Sequence, residues 1–371
     1  MSSFKLRLHK RIDVSIPTVG IILSLFGLVM VLSASQIIAA NNFGNQYYFF
    51  IRQLIFWLIG LAGFFYFLRL PLDRLYAARS RYLIATLVLL VLVLVIGPKI
   101  AGVHRWINLG FFQFQPSEFA KLFLVIYLAG WFAAKGDKIK SFTQGLLPFL
   151  GILAAIGGLV ILEKDMGTML ILVALALTIF FVARASWWQF GGVLAVIGVA
   201  IVGLILIAPY RAARLTTFLH QNNQSTDTLG GAYHTQQAVI AIGSGGPWGV
   251  GFGQGISKYA YLPQAYTDSI FAVIAEELGF VRASLVIVAF VFLAWRGYLL
   301  AGRANSQFVQ LVAVGVATVI IVQALINIGG MLGAIPLTGV PLPFVSYGGS
   351  SLVVSMAMLG LLTNCSRETT D

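Results

Sequence analysis

The chain carries twelve acidic residues in 371 positions, few enough that each can be weighed as a chemical group. Asp268, within PQAYTDSIFAVIAEELG (263–279), stands where a long polar loop meets an apolar run. A carboxylate at such a junction either takes a proton from a substrate hydroxyl or caps the helix that follows, and the residues alone leave both roles open. On a continuous helix Glu276 would lie roughly 12 Å from Asp268. That is too far for a glycosidase pair, whose carboxylates stand about 5 to 9.5 Å apart. A partner for Asp268 must therefore come from another segment. Arg211 and Arg214, where the long loop begins, and Lys258, shortly before Asp268, are basic candidates; the plainer reading makes them snorkelling or solvated flanks.

Two further constellations carry charge into apolar surroundings. In RWINLGFFQFQPSEFAK (105–121), Pro116 and Ser117 open a helix on which Glu118 and Lys121 share a face, as a structural ion pair or as functional groups. Glu163, Lys164 and Asp165 precede Gly167 and Thr168 at the tip of an apolar hairpin, a place that calls for polar residues in any case. Metal and nucleotide chemistry find no support. His9, His104, His220 and His234 lie far apart without an HExxH spacing, Cys365 is the lone cysteine, and there is no Walker loop. The glycines from Gly243 to Gly255 do not form GxGxxG; with a short amphipathic helix over 236–242 before them, they read as an ordered cap of tight turns.

The elements that hold these groups follow from composition. Hydrophobic residues make up 59% and charged ones 10%, too little polar surface to coat a soluble globule. The pattern predicts an all-α membrane protein, a single integral domain over 1–371, with about ten transmembrane helices at 14–35, 48–68, 82–98, 119–134, 143–162, 166–183, 189–209, 269–295, 307–333 and 346–363. The net charge of +12 sits at helix ends, which argues against nucleic acid as a partner. Basic clusters at Lys5, Arg7, Lys10 and Arg11, at Arg69, Arg74, Arg79 and Arg81, and at Lys135, Lys138 and Lys140 fall on one side. The positive-inside rule then makes both termini (1–13 and 364–371) cytoplasmic and puts the large loop 210–267, between helices 7 and 8, outside. Residues 327–351 contain Pro336, Pro341, Pro343 and several glycines, so they cannot be one helix. A re-entrant, cavity-lining segment is expected before helix 10.

At these residues the chain resembles the SEDS family (shape, elongation, division, sporulation), which includes RodA and FtsW. QPSEFAK, the DMGT tip, TDSIFAVIAEELG and PLPFVSYGGSS carry the resemblance, which runs from about residue 14 to residue 363. The spacing of KYAYLPQAYTDSIFA is closer to the FtsW branch. The resemblance implies a peptidoglycan glycosyltransferase in the bacterial cytoplasmic membrane. It would polymerise lipid II at the outer face, with a class B penicillin-binding transpeptidase and other divisome or elongasome membrane proteins as partners. By resemblance Asp268 takes the position of the essential aspartate, Glu118, Lys121 and Asp165 match polar positions of the central cavity, and Ser346 in VSYGGSS joins them as a substrate-binding residue.

On that reading the 4-hydroxyl of one sugar displaces undecaprenyl pyrophosphate from the anomeric carbon of another, with inversion. Asp268 takes the hydroxyl proton. Arg211, Arg214, Lys121 or a divalent ion such as Mg2+ or Mn2+ meets the charge on the diphosphate. Two positions depart from the family pattern: Glu163-Lys164 replaces the usual Gln-Pro, and Arg282 replaces a glycine and has no partner legible in the sequence. A flippase of lipid-linked precursors and a non-catalytic scaffold are the rival readings. A flippase needs polar groups reachable from both faces, and a scaffold gives no reason for the outer carboxylates.

Overall fold

The structure, a computed structural model, describes residues 12–99, 102–108, 110, 112–207, 216, 218, 231–259 and 261–369. Its helices are α1 (Ser15–Phe43), α2 (Tyr48–Arg69), α3 (Leu72–Ala77), α4 (Arg79–Ile96), α5 (Pro116–Lys135), α6 (Leu147–Leu162), α7 (Met166–Val182), α8 (Trp187–Ile207), α9 (Gly231–Ser244), α10 (Ile270–Gly302), α11 (Gln307–Met331) and α12 (Gly349–Cys365). A small antiparallel hairpin, β1 (Ile107–Asn108) and β2 (Gln113–Phe114), lies between α4 and α5, with Ile107 paired to Phe114. Among the described residues eight helices are long and apolar enough to cross a bilayer, and α7 and α8 are shorter apolar helices. These fall on the stretches that hydropathy marks out. Two ends differ most: α10 runs to Gly302 rather than residue 295, and α1 runs to Phe43 rather than residue 35, because no breaker intervenes before Gly44, whose φ of 65° gives the left-handed cap that ends the helix.

Burial separates a centre from a rim. The apolar windows of α11 and α12 are 83% and 89% buried, against 22% and 17% for α2 and α4. The rim helices therefore turn leucine, isoleucine and valine outward, as suits lipid contact, and the centre packs protein on protein. Close approach there rests on small residues: a Cβ at Gly360 of α12 would stand 2.2 Å from Phe64 O of α2.

The expected non-helical stretch is present. Between α11 and α12 residues 332–348 form no helix, and Val340, Leu342, Phe344 and Val345 are nevertheless buried. Phe344 O and Val345 press on α1 so closely that a Cβ at Gly27 would stand 2.6 Å from either. Backbone without a helix survives at such depth because protein surrounds it.

A second irregularity was not foreseen. α10 is broken at Gly279 (φ 80°, ψ 173°). The polar backbone groups freed by the break are taken up by the Gly-rich loop after α9. Val250 N and Gly251 N donate to Glu276 O and Glu277 O (3.0 and 3.1 Å), while Phe280 N and Val281 N donate to Gly246 O and Pro247 O (2.9 and 3.1 Å). Side chains repeat the pattern. Glu276 accepts from Ile256 N (2.9 Å), Ser257 N (3.2 Å) and Ser257 Oγ; Glu277 accepts from Gly253 N (2.9 Å) and Ser33 Oγ (2.8 Å) and pairs with Lys258 Nζ (2.7 Å). The break also changes the setting of Arg282, which is not on one straight helix below Asp268. It is exposed, and its Nη1 donates to Trp248 O (3.2 Å).

The bundle has two distinct ends. At one, the Arg296 guanidinium pairs with Asp13, Asp13 N donates to Ser366 Oγ (3.0 Å) and Arg367 donates to Leu68 O (3.1 Å). This gathers the start of α1 and the ends of α2, α10 and α12. The starts of α2, α5 and α10 and the tip between α6 and α7 lie at the other.

Gly279→Ala tests the seam. At φ 80° an added Cβ would be strained and would stand 2.2 Å from Gly249 N. The expected loss is about 1–3 kcal/mol or more, read as a lower unfolding temperature in detergent and faster proteolysis of the 246–258 loop. Parent-like stability would mean that the break is not held by this contact.

Candidate active site

The second end opens into a cavity of about 750 Å³, within the range of small-molecule sites. Its wall combines the first turns of α2 (Tyr48, Arg52), the β1–β2 hairpin (Arg105, Gln113), the turn before α10 (Tyr266, Asp268) and the 339–351 segment (Gly339, Tyr347).

Asp268 is fixed by the turn that precedes it. Thr267 N and Ser269 N both donate to Gln264 O (3.0 and 3.2 Å), with Gln264 in the left-handed region (φ 53°). Asn327 of α11 donates Nδ2 to Asp268 O (2.7 Å) and to Val340 O (2.8 Å), joining the turn to the 339–341 segment. The N-cap position of α10 belongs to Ser269, so Asp268 does not sit as the cap. Its carboxylate accepts Thr267 Oγ1 (3.0 Å), and Gly339 leaves its other oxygen uncovered: even an added Cβ there would stand 3.6 Å from Oδ2. Burial pushes the Asp268 carboxyl above the ordinary carboxylate range, against the opposing pull of His234 and the Thr267 hydroxyl.

Two guanidinium groups line the same space. Arg52 lies over the Tyr48 ring, 4.8 Å from its centroid, and interacts with Tyr347. Arg105 donates Nε to Glu163 O (3.0 Å) and a second nitrogen to Lys164 O, so the tip after α6 holds it in place. A cation here also complements the carbonyl end of α6. Neither arginine stood out in the sequence. For Arg52 a signal did exist: it is a charge inside an apolar span.

Of the described residues singled out by sequence, Asp268 lines the cavity and the others stand behind it or apart from it. Glu118 and Lys121 form a buried ion pair (2.7 Å), and Lys121 Nζ also donates to Gln323 Oε1 (2.7 Å). Gln323 in turn donates to Pro341 O (2.9 Å), so the pair supports the cavity floor from beneath. Asp165 caps α7, accepting Thr168 N (3.0 Å) and Thr168 Oγ1 (2.9 Å), and reaches the wall through Gln115 Nε2 (3.3 Å). Ser346 Oγ accepts Leu342 N (2.8 Å) and its carbonyl accepts Gln53 Nε2 (3.0 Å), which shapes the turn leading to Tyr347. Lys258 is spent on Glu277 and the Gly-rich loop. Arg211 and Arg214 lie outside the described residues. Among the described residues no three His, Cys, Asp or Glu side chains converge as metal ligands, so the residues present do not build a protein-only cage for a divalent ion.

Glu163 is fully buried. Burial, and then the charge of Asp165, push it from 4.5 up to about 8, against the attraction of Arg105 and the Ser117 hydroxyl. The folded state therefore binds more protons than the unfolded one between those values, and stability falls as pH rises through that window. Glu163→Gln removes the effect. Unfolding temperatures of variant and parent should agree near pH 4.5 and diverge in favour of the variant up to pH 8; a constant difference would mean that Glu163 does not titrate there.

Similarity to known proteins agrees with this architecture. The model of the cell cycle protein family FtsW/RodA/SpoVE matches residues 13–371. Stage V sporulation protein E of Bacillus subtilis is 38% identical over 359 residues, 96% of this chain and 97% of that protein. The probable peptidoglycan glycosyltransferase FtsW of Idiomarina loihiensis is 38% identical over 354 residues, 95% of this chain and 86% of that one. Among solved structures, a peptidoglycan synthase complex described for its coordination of polymerization and crosslinking contains a chain 28% identical, with a TM-score of 0.79 over 96% of this chain and 98% of that one. The rod shape determining protein RodA of Thermus thermophilus is 27% identical, with a TM-score of 0.70 over 97% and 98% of the two chains. The family match over almost the whole length, together with 38% identity to a relative over 96% of the chain, establishes that this chain belongs to the FtsW/RodA/SpoVE family of cell cycle proteins.

Proposed function

We propose that this protein is a peptidoglycan glycosyltransferase that polymerises lipid II, with Asp268 as general base. The observation that carries the reading is a carboxylate raised in basicity by burial, in a cavity lined by two guanidinium groups. Asp268 takes the proton of the acceptor 4-hydroxyl as that oxygen bonds to the donor's anomeric carbon. The bond to the diphosphate breaks on the opposite face, so the centre inverts. The charge released on the diphosphate is met by Arg52 and Arg105, which replace Lys121 and Lys258 as the cations of the site. Glu118, Lys121, Asp165 and Ser346 act as positioning residues, through Gln323, Gln115 and the 341–347 turn. A class B penicillin-binding transpeptidase is the proposed partner, in keeping with the relative found in a complex that couples polymerization to crosslinking. The opening of this cavity at one end of the bundle favours polymerisation over lipid transport.

The cavity end is read as extracytoplasmic and the Asp13–Arg296 end as cytoplasmic, on the bias of the basic residues. Single cysteines at the exposed Trp248 and Lys138 test this, since Cys365 is buried. A membrane-impermeant maleimide should label the first in intact cells and the second only after lysis; the reverse pattern would overturn the orientation.

Asp268→Asn keeps the size of the side chain and its bond to Thr267 but removes the base. A folded, membrane-inserted protein that binds lipid II and yields no glycan is expected. Asp268→Glu should also be poor, because one extra methylene displaces the carboxylate. If the asparagine variant polymerises lipid II at close to the parent rate, the base is another group.

A further inference from the structure

The turn that carries Asp268 is backed by α9, and the contact is made by an imidazole. His104 and His234 are the histidines among the described residues; His104 is engaged with Gly97 O (2.7 Å) where α4 ends. His234 Nε2 lies 2.6 Å from Ser269 Oγ, the side chain next to Asp268 in sequence. Ser269 Oγ itself donates to Pro263 O (2.9 Å). A serine hydroxyl has a single hydrogen. With that hydrogen on Pro263, His234 Nε2 must carry a proton and donate it to Ser269. Nδ1 is then the nitrogen that titrates, and the link to Ser269 is kept in both protonation states. One residue earlier on α9, the Tyr233 hydroxyl donates to Tyr261 O (3.1 Å). The two bonds fasten α9 to both ends of the 261–269 turn.

We propose that His234 is a positioning residue for Asp268: through Ser269 it fixes the turn that presents the carboxylate. The inference rests on the reading of Asp268 as the base. Burial lowers the basicity of His234 and raises that of Asp268, while each group favours the charged form of the other. Asp268 is the charged group acting on the imidazole. On the open side of the carboxylate Arg52 and Arg105 line the cavity. The imidazole does not line the cavity, which separates its role from contact with the sugar.

His234→Gln is the conservative variant, because a glutamine amide can donate to Ser269 as the imidazole does. In detergent-purified protein with lipid II as substrate, it should recover most of the kcat that His234→Ala loses, with the unfolding temperature held near that of the parent. His234→Ala loses the bond and should lower kcat across the whole pH range. Ser269→Ala keeps the histidine, cuts the link, and should lower kcat in the same way, which covers the case in which the histidine variants fail to fold. A kcat in His234→Gln as low as in His234→Ala, or a parent-like kcat in Ser269→Ala, overturns the proposal. Asp268→Asn, assayed alongside, tells the two failures apart: if it is inactive while the His234 and Ser269 variants behave as parent, only the role of His234 falls.

Discussion

Backbone amides that leave a helix inside an apolar bundle must be hydrogen-bonded by the protein itself, since hydrocarbon offers no partner. The break in α10 at Gly279 meets that demand with the loop after α9, which supplies donors to the carbonyls before the break and acceptors to the amides after it. Glu276, Glu277 and Lys258 are recruited to the same seam, so three charges in or beside an apolar span serve the loop and not the cavity. Removing one partner of such a buried pair costs about 3–5 kcal/mol. The seam in turn fixes α9 against α10, and the turn that presents Asp268 hangs between them. The site therefore depends on a stretch of backbone that is nowhere in contact with it.

The cavity is built in two layers. Facing the space are Asp268, two arginines, tyrosines and amides; behind them lie the Glu118–Lys121 pair, Asp165 and Ser346, each reaching the wall through one intermediate group. Such an arrangement spreads the cost of burying charge. Lys121 is shared between Glu118 and Gln323, while the arginines line the cavity. At the wall, carbonyl oxygens at positions 163 and 164 hold Arg105, and Arg52 lies over the Tyr48 ring.

Much of this plan is legible in the sequence. Apolar runs mark the helices, Pro336, Pro341 and Pro343 forbid a helix before α12, and Asp268 is conspicuous at the join of loop and helix. The spacing of Glu118 and Lys121 says that they share a face, but spacing does not say which neighbour that face meets, and here it meets α11. Arg105 is fixed by carbonyls at positions 163 and 164, a contact far along the chain that no local pattern encodes. The fate of AEELG is hidden for a similar reason. A helical pattern continues unbroken through Gly279, and only the presence of a partner backbone makes the break the better choice.

The amide of Asn327 joins elements that sequence keeps far apart. One nitrogen donates both to Asp268 O and to Val340 O, so the carboxylate's turn and the non-helical stretch before α12 share a single pin on α11. Gly339, next to that pin, is also the residue that leaves the carboxylate uncovered. The 339–341 stretch and the turn that carries Asp268 are thus held at one point of α11, so that a change at Asn327 reaches the cavity floor and the carboxylate's turn together.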